Sequence, residues 1–272
     1  MRIRLNGSWQ ETQSLTLHGL QDEYYEKNNL SKEIQIVIIY NGFQTAEDFP
    51  LQAEDQVVFI RKGKMPDEKE LESMLSARIT PGLYEKFQKG RVAIAGLGGL
   101  GSQIAMQLAR SGVGHLHLLD FDVVEPSNLN RQQYRICHLG MEKTQALAQE
   151  LAEIAPYVTV TTDTVRLTAE NALGLLAEDT IICEAFDNPA AKAMLAECIL
   201  VGFPEKYYIG ASGMAGCEDS NTIVTKKITD HFYMCGDGVT GAQLGRGLMA
   251  PRVAICASHQ ANQVLQILQK ME

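Results

Sequence analysis

Two periods of apolar spacing divide this 272-residue chain. Over the first sixty-odd residues the apolar runs are short and alternate. "RIRL" and "SLTL" read as strands around "NGSWQETQ", with a hairpin turn at Asn6-Gly7. "LQDEYYEKNNL" predicts a helix stopped near Asn28-Asn29, and the β-branched runs "IQIVIIY" and "DQVVFI" predict two further strands. Strand, strand, helix, strand, strand over residues 1–65 is the order of a small β-grasp domain. A unit that short buries little core and is expected to pack on the rest of the chain. Residues 66–90 read as a helical connector, with Leu71, Met74, Leu75 and Ile79 at helical spacing until Pro81-Gly82.

From Arg91 onwards strands and helices alternate. "RVAIAGL", "HLHLLDFD", "VTVTTDTV" and "DTIICEAFD" read as strands, while "GSQIAMQLARSG", "MEKTQALAQELAEI" and "AENALGLLA" read as helices. That alternation predicts an α/β domain over 91–272, with a doubly wound, mostly parallel, Rossmann-like sheet. "KYYIGASGM" and "NTIVTKKI" add later β-structure, and "ASHQANQVLQILQK" reads as the closing helix.

Composition narrows the function classes. A net charge of −9 argues against a nucleic-acid surface, and no apolar run is long enough for a membrane helix. "MRIRLNGSWQ" has no apolar segment of the secretory kind. Six cysteines lie far apart with no CxxC pair, so a thiolate zinc site is not expected. Cytoplasmic residence with reduced thiols is the consistent expectation. The six histidines show no metal spacing, and His115 and His117 alternate on a strand as structural residues.

Candidate chemistry begins in "AIAGLGGLG", where Gly96, Gly98 and Gly101 form GxGxxG after a strand and before a helix. Such glycines admit backbone amides to phosphate oxygens at a helix N-terminus. Asp120 ends the next strand, where a carboxylate binds ribose hydroxyls. Alone, this suggests a nicotinamide dinucleotide; tight helix–strand packing is the alternative use of the glycines. The following stretch "LLDFDVVEPSNLNRQ" instead concentrates Asp120, Asp122, Ser127, Asn128, Asn130, Arg131 and Gln132 beside the loop. Carboxylate, amide, hydroxyl and guanidinium groups together suit a triphosphate with its metal better than a nicotinamide pocket. Lys143 offers another cation, and Asp187-Asn188 end a strand at the edge where open α/β sheets bind ligands.

"GLGGLGSQIA", "LARSGVGHLHLLDFDVVEPSNLNRQ", "HLGMEK" and "AFDN" together resemble the ThiF/MoeB/ubiquitin-activating family in order and spacing. The resemblance implies an enzyme that adenylates the C-terminal glycine of a β-grasp carrier with ATP and magnesium. It implies nucleotide binding by Gly99, Asp120, the run Ser127, Asn128, Leu129, Asn130 and Arg131, then Lys143, Asp187 and Asn188. Arg131 and Lys143 would hold phosphates and Asp187 the magnesium; Asp122 either binds or braces the loop. Arg78, read on the connector helix, resembles an arginine the family sends into a partner subunit's site, with a solvated arginine as the alternative. A homodimer, a ThiS-like or MoaD-like carrier and a sulfur-donor protein are the implied partners.

Two departures stand out. The paired zinc cysteines of many relatives are absent; some relatives also use a cysteine to take the activated carrier, a role for which Cys217 and Cys235 are the candidates here, with buried or inert thiols as the alternative. "IYNGFQTAEDFPLQAEDQVVFIRKG" resembles the sulfur carrier ThiS, but the chain continues into "KGKMPDEKE" where carriers end in Gly-Gly. The N-terminal domain is therefore expected to be an accessory rather than a substrate. The implied function is activation of a ThiS-type carrier, with thiamine synthesis as the pathway. Activation of another carrier, a catalytically inactive nucleotide-binding regulatory module, and an NAD oxidoreductase are the alternatives.

Overall fold

The computed structural model describes residues 1–66 and 68–271, with the side chains of Glu68 and Lys69 left aside. The chain divides into two compact units, Met1–Tyr84 and Glu85–Glu272, so residues 66–90 are shared between them.

In the first unit, strands β1 (Arg2–Leu5) and β2 (Ser8–Glu11) are joined by Asn6-Gly7, both at positive φ as a tight hairpin turn requires. The second strand is thus not "SLTL". Thr16 caps helix α1 (Leu17–Lys27) by accepting the Gly19 amide, and Leu15 is left exposed. A local cap outcompetes a four-residue alternation. Strands β3 (Ile36–Tyr40), β4 (Phe43–Thr45) and β5 (Gln56–Arg61) complete the sheet in the order β2-β1-β5-β3-β4. Three-residue β4 carries too short a pattern to read from sequence. The parallel β1–β5 pair at the centre, with α1 over Ile3, Leu5, Val57 and Phe59, makes this a β-grasp. Helix α2 (Glu68–Ser76) ends before Arg78, which lies in the turn beyond it.

The second unit begins with α3 (Leu83–Gln88) near its start and continues through β6 (Arg91–Ala95), α4 (Gly99–Arg110) and β7 (His115–Asp120). Then follow α5 (Lys143–Ile154), β8 (Thr159–Thr164), α6 (Ala172–Leu175), β9 (Ile181–Glu184) and α7 (Pro189–Gly202). Strands β10 (Tyr207–Ala211), β11 (Val224–Lys227) and β12 (Phe232–Gly236) precede the 21-residue α8 (Ala250–Lys270). The strand order is β11-β12-β10-β9-β6-β7-β8, parallel throughout except for β11.

Both faces of this sheet are covered, which is why its central strands are apolar on both sides. Ala93, Ala95, Leu119, Ile182 and Tyr208 pack with residues of α6 and α7. Alternate residues Val92, Ile94, Leu116 and Leu118 are fully buried on the other side, where α4 contacts both α5 and α8. The chain runs from β6 outwards to β8, then returns to the opposite side of β6 with β9. Strand order therefore reverses between β6 and β9, the place where open sheets form a ligand crevice. Among the described residues no helix is long and apolar enough to cross a membrane.

Candidate functional site

The glycine loop closes the C-terminal end of β6 at this reversal. Gly96 has φ +92°, and its amide donates to the Leu119 carbonyl at 2.8 Å. A Cβ there would press on the Ala185 carbonyl and the Phe186 ring, both at 3.0 Å. A Cβ at Gly101 would collide with the Gly96 carbonyl, so this glycine is required by the close approach of helix to loop. Gly98 is the N-cap of α4, and no side chain caps the helix's first amides. The nearest heavy atom to a Cβ at Gly98 is Gln132 Nε2, at 3.8 Å. At Gly99 the neighbours are Val253 Cγ1 at 3.0 Å and Arg131 Cγ at 3.4 Å. The mouth of a twelve-residue helix thus keeps free amides beside an arginine stem.

Asp120 is buried and spans two backbone segments. Its Oδ2 accepts the Leu97 amide at 2.6 Å and its Oδ1 the Asp122 amide at 2.8 Å. Each oxygen retains a second lone pair. Tyr134 steadies the same loop by donating to the Leu97 carbonyl at 2.8 Å, and burial holds its phenol far above the ordinary tyrosine range. Asp122 braces: its Oδ2 accepts from Lys143 Nζ at 3.0 Å and its carbonyl from the Lys143 amide at 3.0 Å. Lys143 is buried, with one of its three N–H donors spent on Asp122.

The turn at 126–132 presents its residues unequally. Ser127 and Asn130 are exposed, Leu129 is half-buried, and Asn128 turns inward to accept the Glu125 amide at 3.0 Å. Arg131 Nη1 donates to the Ser127 carbonyl at 3.1 Å and to Asn130 Oδ1 at 2.8 Å. Its Nε and the Oε1 of buried Gln132 have no partner among the described residues. Buried polar atoms without partners are costly in a protein that does not use them. Asp187, in the loop after β9, is exposed and makes no ion pair or side-chain hydrogen bond among the described residues.

Asn188 has a different duty from its neighbour. Its Oδ1 accepts the Ala190 and Ala191 amides at 2.9 and 3.0 Å, capping α7. Helix α7 itself was not apparent in the sequence, because apolar residues surround it and no amphipathic stripe marks it. Arg78 belongs to the first unit, where Nη1 donates to Gln44 Oε1 at 3.0 Å. Cys217 is exposed, whereas Cys235 is buried and its thiol is pushed up to about 11 by burial, which suits an inert residue.

Several supporting residues carried no motif signal. Buried Glu184, at the end of β9, accepts the Phe186 amide at 2.6 Å and Lys192 Nζ at 2.8 Å. Burial raises the Glu184 pKa, and Lys192 opposes that rise. Gln260 of α8 donates to the Glu184 carbonyl at 2.9 Å and to the Ile209 carbonyl at 3.1 Å. Together they fix the turn that carries Asp187. The only hint lay in the spacing of Lys192 four residues after Asn188, one helical turn on.

Residues 72–272 match the ThiF family model, and residues 1–63 match that of the ThiS-like ubiquitin family. The molybdopterin-synthase adenylyltransferase of Salmonella typhimurium is 30% identical over 190 residues, covering 68% of this chain and 75% of that protein. The adenylyltransferase and sulfurtransferase UBA4 of Candida glabrata is 30% identical over 67% of this chain and 43% of its own length. Among solved structures, the Escherichia coli tRNA N6-threonylcarbamoyladenosine dehydratase TcdA in complex with ATP superposes with a TM-score of 0.67. It is 20% identical, covering 76% of this chain and 97% of that one. The chain belongs to the ThiF family and carries a ThiS-like ubiquitin domain at its N-terminal end.

Proposed function

We propose that this protein is an ATP-dependent adenylyltransferase that activates the C-terminal glycine of a ThiS-type sulfur carrier, with thiamine synthesis as its pathway. One observation carries the reading. The uncapped end of α4, Arg131 Nε and Gln132 Oε1 without partners, and the Asp187 carboxylate without an ion pair, all among the described residues, belong to loops at the C-terminal ends of β6, β7 and β9. Anion-binding amides, a cation and a lone carboxylate are the donor set for a nucleotide phosphate with its metal. The named adenylyltransferase relatives support the same reaction class.

In this mechanism the carrier's terminal carboxylate attacks the α-phosphorus of ATP, the bond to the β-phosphate oxygen breaks, and pyrophosphate leaves. The protein's share is positioning and charge neutralisation. The α4 amides and Arg131 hold the phosphates, and Asp120 orients the ribose through its remaining lone pairs. Lys143, held by Asp122, adds positive charge. Asp187 would supply one carboxylate to a magnesium ion. Among the described residues no three His, Cys, Asp or Glu side chains converge to form a protein cage for a metal. A single carboxylate beside substrate phosphates is a common arrangement for magnesium. Bound there, the ion would neutralise charge developing on the phosphate oxygens.

The ThiS-like unit continues through Arg61 into the rest of the chain, so its last strand ends in a peptide bond and has no carboxylate to activate. We assign it an accessory role. Carrier-dependent ATP–pyrophosphate exchange, with ThiS-type and MoaD-type carriers side by side, tests the reading. Exchange with the ThiS type is expected; exchange with the MoaD type alone would move the protein to the other pathway. Exchange with neither would reduce it to a nucleotide-binding module.

A further inference from the structure

At the border of the sheet opposite β8, strand β11 ends the strand order, and among the described residues it pairs only with β12. The hairpin between them sets which backbone groups remain. The Ile228 amide donates to the Phe232 carbonyl at 2.8 Å, and antiparallel pairing alternates from there. Val224 and Lys226 therefore turn their backbone groups towards β12, and Thr225 and Lys227 turn theirs outward. Such a row of donors and acceptors is the template for an added strand.

Beside this edge, β11, β12 and α8 enclose a groove of about 460 Å³. His259, Gln263 and Gln266 stand on one face of α8 and line it together with Thr225, Lys227 and Tyr233. The His259 ring meets Thr225 Oγ1 through Nδ1 at 2.9 Å. Gln263 is only 8% exposed, yet its amide makes no hydrogen bond among the described residues. An amide that deep has lost most of its water without gaining a partner, which costs stability unless a ligand uses it. Half-buried Tyr233 and exposed Gln266 make no side-chain hydrogen bond among the described residues either. Lys227 Nζ donates to Asp230 at 2.8 Å, an exposed ion pair that another carboxylate replaces at little cost. No Asp or Glu lines the groove, in a chain whose net charge is −9.

We propose that this groove and the open edge of β11 bind an extended acidic segment of a partner protein, added as a strand with Asp or Glu at every second position. The outward groups of Thr225 and Lys227 take its backbone. Alternate side chains of the added strand then point to the α8 side. There the Gln263 amide, the Tyr233 hydroxyl and the Lys227 ammonium donate to its carboxylates. Two observations select this occupant: the ladder groups call for a strand, and the donor-rich lining without a carboxylate calls for negative charge. A second copy of this chain fits poorly. Pairing β11 with itself gathers the lysines of both copies on one short ladder, which like-charge repulsion opposes. The site lies outside the proposed adenylation chemistry and does not rest on it.

The test reads binding of short, end-capped fluorescent peptides to the full chain by anisotropy at low salt. The probes are alternating Thr–Glu, the same residues in two blocks, and alternating Thr–Lys, with free glutarate as competitor. The alternating Thr–Glu peptide is expected to bind about 10-fold or more tightly than the other two. Gln263→Leu removes the buried amide and Thr225→Pro the outward N–H, a change that an edge strand tolerates; each should weaken binding about 10-fold. Thr225→Val keeps the N–H and should bind as the unaltered chain does. Gln263→Glu keeps the size of the side chain but sets a carboxylate against the peptide, so its loss should exceed that of Gln263→Leu. Thermal transitions are followed for all, and magnesium–ATP binding should be the same in all. No binding of the Thr–Glu peptide would overturn the site. Equal binding of the block peptide, or displacement by an equal concentration of glutarate, would also overturn it, because the groove would then hold an anion without adding a strand. Unchanged binding in Gln263→Leu and Gln263→Glu would remove the groove, and unchanged binding in Thr225→Pro would remove the ladder.

Discussion

Two polar clusters in the ThiF-type unit contain the same kinds of group and use them in opposite ways. At the ends of β6, β7 and β9, Arg131 keeps a buried Nε without a partner and Asp187 makes no ion pair, both among the described residues. Around the middle of β7, His117 is buried with both ring nitrogens engaged, Nδ1 to Asp179 at 2.7 Å and Nε2 to Asp163 at 2.8 Å. Fully buried Asp179 also receives Arg91 Nε at 3.2 Å, and exposed Glu178 pairs with Arg91 at 3.0 Å. One cluster holds unspent hydrogen-bonding capacity and the other has closed its own. Open capacity at a strand's C-terminal edge is what a ligand consumes; a closed network holds strands in place. Charge alone distinguishes neither.

The comparison breaks most sharply at its two carboxylates. Asp187→Ala is expected to abolish pyrophosphate exchange, a loss of about 10³-fold or more, and to leave the thermal transition unmoved. Asp179→Ala is expected to do the reverse. Removing one partner of a buried ionic network leaves His117 and Arg91 uncompensated, at a cost of about 3–5 kcal/mol in stability. Exchange measured well below its melting temperature should survive. Denaturant titration and exchange rates on the same two preparations decide the matter: if both variants lose both properties, the division into open and closed clusters fails.

Arg131→Ala ranks next. Losing its share of charge stabilisation should cost roughly 2–4 kcal/mol in the transition state, read as a fall in kcat/KM for ATP. Its stability should hold or rise slightly, because the partnerless buried Nε is removed with the side chain. A fall in melting temperature comparable with that of Asp179→Ala would mark Arg131 as structural and shift the phosphate contact elsewhere.

The sequence made one cluster legible and concealed the other. Gly96, Gly98 and Gly101, Asp120 and the 127–132 run follow one another at short, fixed spacings, so their chemistry is visible as a motif. His117, Asp163 and Asp179 come from β7, β8 and the approach to β9, and only parallel pairing assembles them. The alternation along β7 marks His117 as structural, and the fold shows its partners, Asp179 and Asp163, which no sequence spacing reveals. The same distance in sequence hid Glu184, Lys192 and Gln260, which steady the Asp187 turn. Local rules also misassigned some elements. Helix α7 was missed because its residues are apolar on all sides; Asn188, a candidate ligand in the sequence, caps that helix through Oδ1 to the Ala190 and Ala191 amides. "SLTL" read as a strand until Thr16 took the cap of α1.

The smallest expected effect is a pH dependence confined to the closed cluster. Burial by itself would lower the pKa of His117, but hydrogen bonds and charge from Asp179, then Asp163, outweigh it and the pKa is raised above 6.5. A histidine that holds its proton more tightly when folded stabilises the fold fully below its unfolded pKa and loses that contribution as pH rises through the folded value. The native state binds more protons in that window, so stability falls with pH by at most about 1.4 kcal/mol per unit. Neighbouring His115 works oppositely: burial and Arg91 lower its pKa, so its effect lies below about 6.5 and removes stability on the acid side. The buried thiols of Cys183, Cys235 and Cys256 are raised by burial to about 11 or beyond and do not titrate in the window. Denaturant midpoints of the unaltered chain should therefore decline from pH 6.5 upward, and those of His117→Gln should be lower but flatter over the same range. Parallel slopes in the two proteins would show that the proton is not held at His117, and the cluster would then owe its closure to neutral hydrogen bonds.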